Sequence, residues 1–357
     1  MPLTMATFNL KNLTLSNQTI YGFANPVYTD EEYAQKVNWV GARIKEMDAD
    51  IIGFQELWEV RALEDCFKAA NLFDEYDIIG RDAPTRFEVQ VAFAVRKGWL
   101  HDTPVWHENM PDNARFIKRI DDDSPFGVDL KIERFSRPPL EIRVKPKRRG
   151  SPIMTLFNTH LKSKRPIELD STEKRKLPYE DEVAIGSALA QIRRSAEAAA
   201  LRVLLNARML DNDEPFVVLG DLNDDYLSVS TTIVTGDPSF KLFEGSRVGA
   251  KPSKLGDLGL YSTQILKQYR SLRNVHYTHI YKNKLEVLDH ILVSEQFYDH
   301  SPKRIWAFRD VQYWVDHLYD DKDAKVTTDH GIVLAQFDYR PLAPIIQETA
   351  EDLSEDD

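Results

Sequence analysis

The chain has 357 residues, 46 of them basic and 57 acidic, for a net charge of -11, and 42% of it is hydrophobic. That length and apolar fraction describe a globular protein with a large core and exclude a disordered or fibrous chain. The acidic balance argues against a passive nucleic-acid coat, no apolar run approaches the roughly 18 residues of a membrane helix, and a lone cysteine, Cys66, excludes an internal disulfide.

The opening MPLTMATFNL lacks a basic segment followed by an apolar one, so no signal peptide is read. The expected location is cytoplasmic as the chain is written, and a processed secreted form would look the same. The first strand is expected over 3–9 (LTMATFN). Thr29-Asp30-Glu31-Glu32 resembles a capping box. After it, Tyr33, Val37, Val40, Ile44 and Met47 recur at helical spacing, which predicts an amphipathic helix to about Asp48.

Further strands are expected at 50–56 (DIIGFQE), 89–96 (VQVAFAVR), 139–144 (PLEIRV), 153–160 (IMTLFNTH), 216–223 (FVVLGDLN), 286–293 (EVLDHILV) and 331–337 (GIVLAQF). Their Val, Ile, Leu and Phe content suits strands covered on both faces. Helices are expected at 61–71 and, as one long helix or a pair, at about 180–210. Interleaving with some direct strand-to-strand connections implies an α/β protein with mixed sheets. Segments 107–128 and 224–276 read as loop-rich, with Pro, Gly and acid clusters. Residues 1–345 are expected to form a single domain, and 346–357 an acidic, solvated tail.

The chemistry collects at strand ends. Asn9 closes the first strand and Gln55-Glu56 the second, where a carboxylate could cap a helix or offer a hard oxygen ligand to Mg²⁺ or Mn²⁺. Asn158-Thr159-His160 closes another. Gly220-Asp221-Leu222-Asn223 places an acid and an amide two residues apart, on one face if extended. Two Asp-His pairs follow, Asp289-His290 within a strand and Asp329-His330 before one. A buried Asp inside a strand is costly unless paired, and a histidine held by a carboxylate is oriented for acid–base work. Each feature is ambiguous alone. Five of them at separate strand ends are hard to explain as five caps.

The blocks TFNLKNL, DIIGFQEL, FNTHLKS, VVLGDLND, LDHILVS and TTDHGIVLAQF, in this order from Asn9 to about Phe337, resemble the endonuclease/exonuclease/phosphatase superfamily of metal-dependent phosphodiesterases. The resemblance implies a four-layer α/β sandwich, with two packed mixed β-sheets flanked by helices and an active site at one rim. It implies metal binding by Glu56, with Asn9 beside it and Asp329 as a further ligand. It makes Asp221 the residue that binds or orients the attacking water, Asn223 a holder of the scissile phosphate, and His330 with Asp289 an acid–base dyad. His160 becomes the second catalytic histidine, near the phosphate, and His290 is left structural by strand alternation. The implied cofactor is Mg²⁺, with Mn²⁺ as a substitute and Ca²⁺ as a further ion.

Two details favour nucleic acid as substrate, DNA ahead of RNA. Phe135-Ser136-Arg137-Pro138-Pro139 resembles a block of pancreatic-type deoxyribonucleases and bacterial extracellular nucleases in which the arginine reaches a substrate phosphate. The stretch 277–294 (YTHIYKNKLEVLDHILVS) is similar to the corresponding region of the bacterial nucleases. Basic clusters at 143–150, 162–165 and 174–176 crowd around His160 in sequence and suggest a polyanion-facing rim, with Tyr226, Tyr277 and Tyr281 available for base contact. The partner that those enzymes give the first histidine would here be Glu88 or Gln90. The competing substrate class is an inositol phosphate or sphingomyelin. For a membrane-acting enzyme of that kind, Trp306, Phe308 and Trp314 are the nearest candidates, though they read as core.

Overall fold

The computed structural model describes residues 2–114, 116–117, 131–174, 176–238, 240, 258–271, 276–319 and 325–342. Its strands are β1 (Leu3–Leu13), β2 (Ile51–Leu57), β3 (Tyr76–Ile79), β4 (Gln90–Arg96), β5 (Val105–Trp106), β6 (Phe116–Ile117), β7 (Lys131–Ile132), β8 (Leu140–Val144), β9 (Met154–His160), β10 (Phe216–Asp221), β11 (Tyr261–Ser262), β12 (His279–Tyr281), β13 (Lys284–Glu286), β14 (Asp289–Val293), β15 (Trp306–Trp314) and β16 (Ile332–Tyr339). The helices are α1 (Asp30–Met47), α2 (Val60–Ala69), α3 (Ser171–Lys174), α4 (Tyr179–Met209), α5 (Val229–Thr235) and α6 (Thr263–Arg270).

Two six-stranded mixed sheets carry the fold, ordered β15-β16-β1-β2-β4-β3 and β11-β14-β10-β9-β8-β5. Met5, Ile51, Phe93 and Val333 of the first pack against Leu156, Val217 and Ile291 of the second in one buried cluster. The outer face of the first sheet is covered by α1 and α2 through Val40, Ile44, Leu63 and Phe67. The outer face of the second is covered by α4 through Ala198, Leu201 and Leu205. This is the expected four-layer sandwich.

The expected strands and helices are present with shifted ends. The capping box of α1 closes as predicted: Glu32 N donates to Thr29 Oγ1 at 3.2 Å and Thr29 N donates to Glu32 Oε2 at 2.9 Å. The 180–210 segment is one helix rather than a pair. Strand β15 has no clear sequence signal, because Arg309 and Asp310 interrupt its apolar run at a register shift. Its Trp306 and Phe308 are buried, in line with the core reading. The sheets approach so closely at Gly53 that a Cβ there would lie 2.0 Å from Leu219 Cδ1. The segments expected to be loop-rich, 107–128 and 224–276, lie partly outside the described residues; within the second, the described part is not loop alone but holds α5, β11 and α6, with Ser228 Oγ accepting from Thr231 N to cap α5. The tail 346–357 falls wholly outside.

Register brings the strand ends to one rim. In the first sheet β1 and β2 run parallel, pairing Asn9 with Gln55. In the second, β9 and β10 run parallel and pair His160 with Asp221, while antiparallel β14 pairs Asp289 with Asp221. Residues far apart in sequence therefore share one end of the sandwich.

Candidate active site

Neighbouring strands β1 and β2 both lose register just where their functional residues lie, between Asn9 and Leu13 and between Phe54 and Leu57. Bulges of this kind bend a strand and re-aim side chains. Lys11, Asn12 and Glu56 accordingly have φ of 49°, 56° and 62°, a region that non-glycine residues rarely adopt. The distortion lets Asn12 N donate to Glu56 Oε2 at 3.0 Å. Asn223, on the other sheet, has φ 54°.

Asp221 Oδ2 is the centre of the site. Asn9 Nδ2 donates to it at 3.1 Å, His160 Nε2 lies 3.4 Å away and His330 Nε2 3.9 Å away. The other oxygen, Asp221 Oδ1, accepts from Asn223 N at 2.8 Å, which fixes the carboxylate plane. His330 Nδ1 donates to Asp289 Oδ2 at 2.9 Å, so the two residues expected to act together are hydrogen-bonded. Asn223 Nδ2 donates to Leu161 O at 3.0 Å, locking its amide beside the His160 strand. Arg137 Nη1 reaches the same carbonyl at 3.3 Å.

The two histidines titrate in opposite directions. Burial opposes charge on His330, but the Asp289 and Asp221 carboxylates outweigh it and raise the imidazole well above its ordinary value. His160 is pushed well below, by burial first and then by Arg137 and His330. Burial, helped by Asp289 and Glu56, raises Asp221 against the pull of His330.

The metal expectation can be tested on the donors. Glu56 Oε1 has one long contact, 3.4 Å from Asn9 Nδ2. Lys11 Nζ lies 3.8 Å from Asp329 Oδ2, and the adjacent Asn12 binds Glu56, so both carboxylates flank one stretch of chain. Hard oxygens at a partly open rim suit Mg²⁺ or Mn²⁺. Asn9 enters differently from the expectation: its Oδ1 accepts from Lys11 N at 3.0 Å, and its amide nitrogen faces Glu56 and Asp221. It is placed to orient the two carboxylates. Asp221, Asp289 and His330 also hold ligand atoms within 4.8 Å of one another. Because His330 is committed to Asp289, that trio suits proton transfer, and the Glu56 carboxylate is left free of a second strong partner at Oε1.

Sequence comparison agrees with this geometry: residues 7–330 match the Endonuclease/Exonuclease/phosphatase family. The chain belongs to that family. Membership makes it a phosphoric-ester hydrolase. Solved structures with the same fold include the human nocturnin catalytic domain with bound sulfate, 15% identical with a TM-score of 0.52, covering 95% of this chain and 95% of that one. Truncated TDP2 from Caenorhabditis elegans is 14% identical with a TM-score of 0.51, covering 95% and 98%. A mannosyl-6-phosphatase from Bacteroides thetaiotaomicron is 17% identical with a TM-score of 0.50, covering 94% and 100%. At these identities the likeness shows the fold alone. No curated protein sequence matches the chain significantly.

Several supporting residues have no visible sequence signal. Glu197 of α4, only 1% exposed, accepts from Ser136 N at 2.8 Å, Lys162 N at 2.8 Å and Arg193 Nε at 3.1 Å. It thereby clamps the segments carrying Arg137 and His160 to one helix. Thr328 Oγ1 donates to Asn9 O at 2.8 Å, and Thr278 Oγ1 accepts from Leu288 N and Asp289 N. Buried Lys36 donates to Thr327 O at 2.6 Å, bracing the turn into Asp329 and His330. Lys36 falls between the apolar positions that define its helix, so nothing in the sequence marks it.

Two expectations about the surroundings need correction. The basic cluster at 143–150 is not near His160. Register pairs Val144 with Met154, six residues down β9 from His160, or about 20 Å at the usual rise per residue. There Arg143 pairs with Asp102 and Glu214. Neither Glu88 nor Gln90 partners His160 either. Glu88 accepts from Thr85, Gln90 bonds Arg81 and the Glu88 carbonyl, and His160 Nδ1 has no partner among the described residues. Lys162, Lys164 and Arg165 remain on the rim; Lys174 pairs with Glu168 and Glu182, and Arg175 lies outside the described residues. His290, as expected, is buried and structural, with Nε2 at 2.8 Å from Asp224 O. The 277–294 stretch forms the β12–β13 hairpin, whose His279 bridges to His330. No described helix is long and apolar enough to cross a membrane.

Proposed function

We propose that the chain is a divalent-metal-dependent phosphodiesterase that hydrolyses nucleic acid by direct attack of water, acting as an endonuclease on DNA in preference to RNA. The observation that carries this reading is the convergence of Asn9, His160 and His330 on one oxygen of Asp221. That oxygen can accept a proton from a water lying between the sheets' rim residues and aim it at phosphorus. Asp289 holds His330 with its Nε2 turned toward the reacting centre, where it can donate a proton to charge developing on phosphate or leaving oxygen. His160, kept neutral, and Asn223 supply contacts for the non-bridging oxygens.

Glu56, with Asp329 and the orienting amide of Asn9, would hold Mg²⁺ or Mn²⁺, which would neutralise phosphate charge and assist the leaving oxygen. Arg137, half-buried and bonded to Leu161 O, is positioned as a phosphate contact, and Lys162 and Arg165 extend positive charge along the rim, while Lys164 is paired with Glu286 and Asp224. These cations, rather than the net charge, support a polyanionic substrate.

The test is a panel of plasmid DNA, RNA, bis-p-nitrophenyl phosphate and inositol phosphates, each with Mg²⁺, Mn²⁺, Ca²⁺ or EDTA. Metal-dependent DNA nicking is expected. Rapid hydrolysis of inositol phosphates with no cleavage of DNA or RNA would overturn the nucleic-acid reading and leave an inositol-phosphate or lipid-directed enzyme.

A further inference from the structure

An aromatic wall stands beside the phosphate contacts. Phe23 and Phe87 are 59% and 66% exposed, unusually open for phenylalanines on a chain with so large a core. Gly22, at φ +72°, lets the Phe87 ring lie across the backbone, with Cε1 and Cζ 3.8 Å from where a Cβ would be. Tyr21 packs edge-on to Phe23, with ring centroids 6.2 Å apart, and its hydroxyl lies close enough to Glu56 and Arg137 to feel the charge of both.

The wall is braced. Tyr21 N donates to Arg86 O at 2.8 Å, and Arg86 also bonds Gln18 and Glu59, so the two loops that carry the rings are tied to each other. Tyr21 also stands edge-on to buried Trp58 at 5.0 Å. Trp58 Nε1 donates to Asn12 Oδ1 at 3.1 Å, and Asn12 N donates to Glu56. A run of contacts from Tyr21 through Trp58 and Asn12 therefore links the rings to Glu56, and Arg137 lies within electrostatic range of the Tyr21 hydroxyl. An exposed apolar surface near an arginine proposed to contact phosphate matches a nucleotide, which pairs a flat base with a phosphate.

We propose that Tyr21, Phe23 and Phe87 form a stacking subsite for a nucleobase next to the scissile phosphate. This rests on the nucleic-acid reading above and sharpens it: the strand is engaged with an unpaired base, so single-stranded or locally opened substrate is preferred. Arg137 takes the phosphate while the rings take the base, and because every base has a flat face, the subsite carries little sequence preference.

The test compares a short thymidine oligomer with its all-abasic tetrahydrofuran counterpart, which carries the same phosphates without bases. With Mg²⁺, the wild-type protein is expected to cleave the thymidine oligomer about tenfold or more faster in kcat/KM. In the F23A/F87A variant that ratio should fall close to one while the abasic rate stays unchanged. Both rings are largely exposed, so the variant should fold, and the single variant F87A gives an independent reading. A wild-type ratio near one, or a ratio kept in F23A/F87A, overturns the stacking subsite while leaving the nuclease reading intact. If neither oligomer is cleaved but inositol phosphates are, the nucleic-acid reading itself fails and the subsite with it. Binding of the wild type to phosphatidylserine vesicles that F23A/F87A loses, with an unchanged oligomer ratio, would reassign the wall to a lipid surface.

Discussion

Gln55 Nε2 donates to Asn158 Oδ1 at 2.7 Å, joining β2 of one sheet to β9 of the other inside the sandwich. Asn158 Nδ2 donates in turn to Phe54 O at 2.9 Å and Ala92 O at 2.7 Å, and Gln55 Oε1 accepts from Thr7 Oγ1 at 3.1 Å. Every polar atom of the two amides is used. This bridge lies one residue from Glu56 and two from His160, so it sets the spacing of the two halves of the site. We expect N158A to lose about 2–4 kcal/mol of stability, since several buried partners are left unpaired at once, and to lose activity beyond what unfolding explains. Urea denaturation with activity assayed on the folded fraction decides it. A variant as stable and active as wild type would show that the bridge is dispensable.

Much of this site is legible in the sequence because parallel strands deliver their carboxyl ends to one rim. An apolar run ending in Glu56, His160 or Asp221 is visible without knowing its neighbours. What cannot be read is whatever depends on pairing. The cluster at 143–150 lies close to His160 along the chain, yet the antiparallel pairing of β8 with β9 carries it to the opposite end. Glu197 sits on a helix rich in alanine, and only tertiary packing reveals that it holds Ser136 and Lys162. Strand β15 is hidden by the charges of Arg309 and Asp310.

If Glu56 holds the divalent ion as proposed, E56Q should separate metal binding from folding. Wild-type thermal stability is expected to rise with Mg²⁺ or Mn²⁺, by about 2.7 kcal/mol when the ion is at a hundred times its dissociation constant. E56Q should lose that response and about a thousandfold in kcat, while its melting without metal stays near wild type. Metal-dependent stabilisation of undiminished size in E56Q would move the site elsewhere.

Asp289 acts through His330, to which it is bonded at 2.9 Å. D289N keeps the shape but removes the charge that favours the imidazolium. We expect kcat to fall by roughly 10²–10⁴-fold, with KM changed far less. Steady-state kinetics on a small diester such as bis-p-nitrophenyl phosphate measures this without contributions from polymer binding. Retention of wild-type kcat would remove the dyad from the mechanism.

Arg137 and Glu197 should behave as a contact and its support. R137A is expected to weaken binding about equally across DNA sequences and to lower the salt dependence of binding by about one unit of slope. E197Q keeps the arginine but loosens the Ser136 and Lys162 anchors, so it should raise KM in the same sense with a smaller loss. Titrations over a range of salt compare the two. An unchanged salt slope in R137A would mean that Arg137 does not meet a phosphate.

On β8, toward the β5 edge of the second sheet, Glu141 offers a pH test independent of catalysis. It lies 2.8 Å from His107 Nε2 and 3.1 Å from Arg208 Nε. Burial works to raise its carboxyl, but His107 and Arg208 outweigh burial and hold it below its ordinary value. A lowered carboxylate contributes stability that is present above its unfolded value, near about 4.3. That contribution is lost as pH falls through the lower folded value. E141Q should therefore be less stable than wild type at neutral pH, and the gap should close as the solution is acidified below about pH 4. Denaturant melts at a series of pH values follow it, and a gap that stays constant into the acid range would place the stabilisation in packing rather than in the charge.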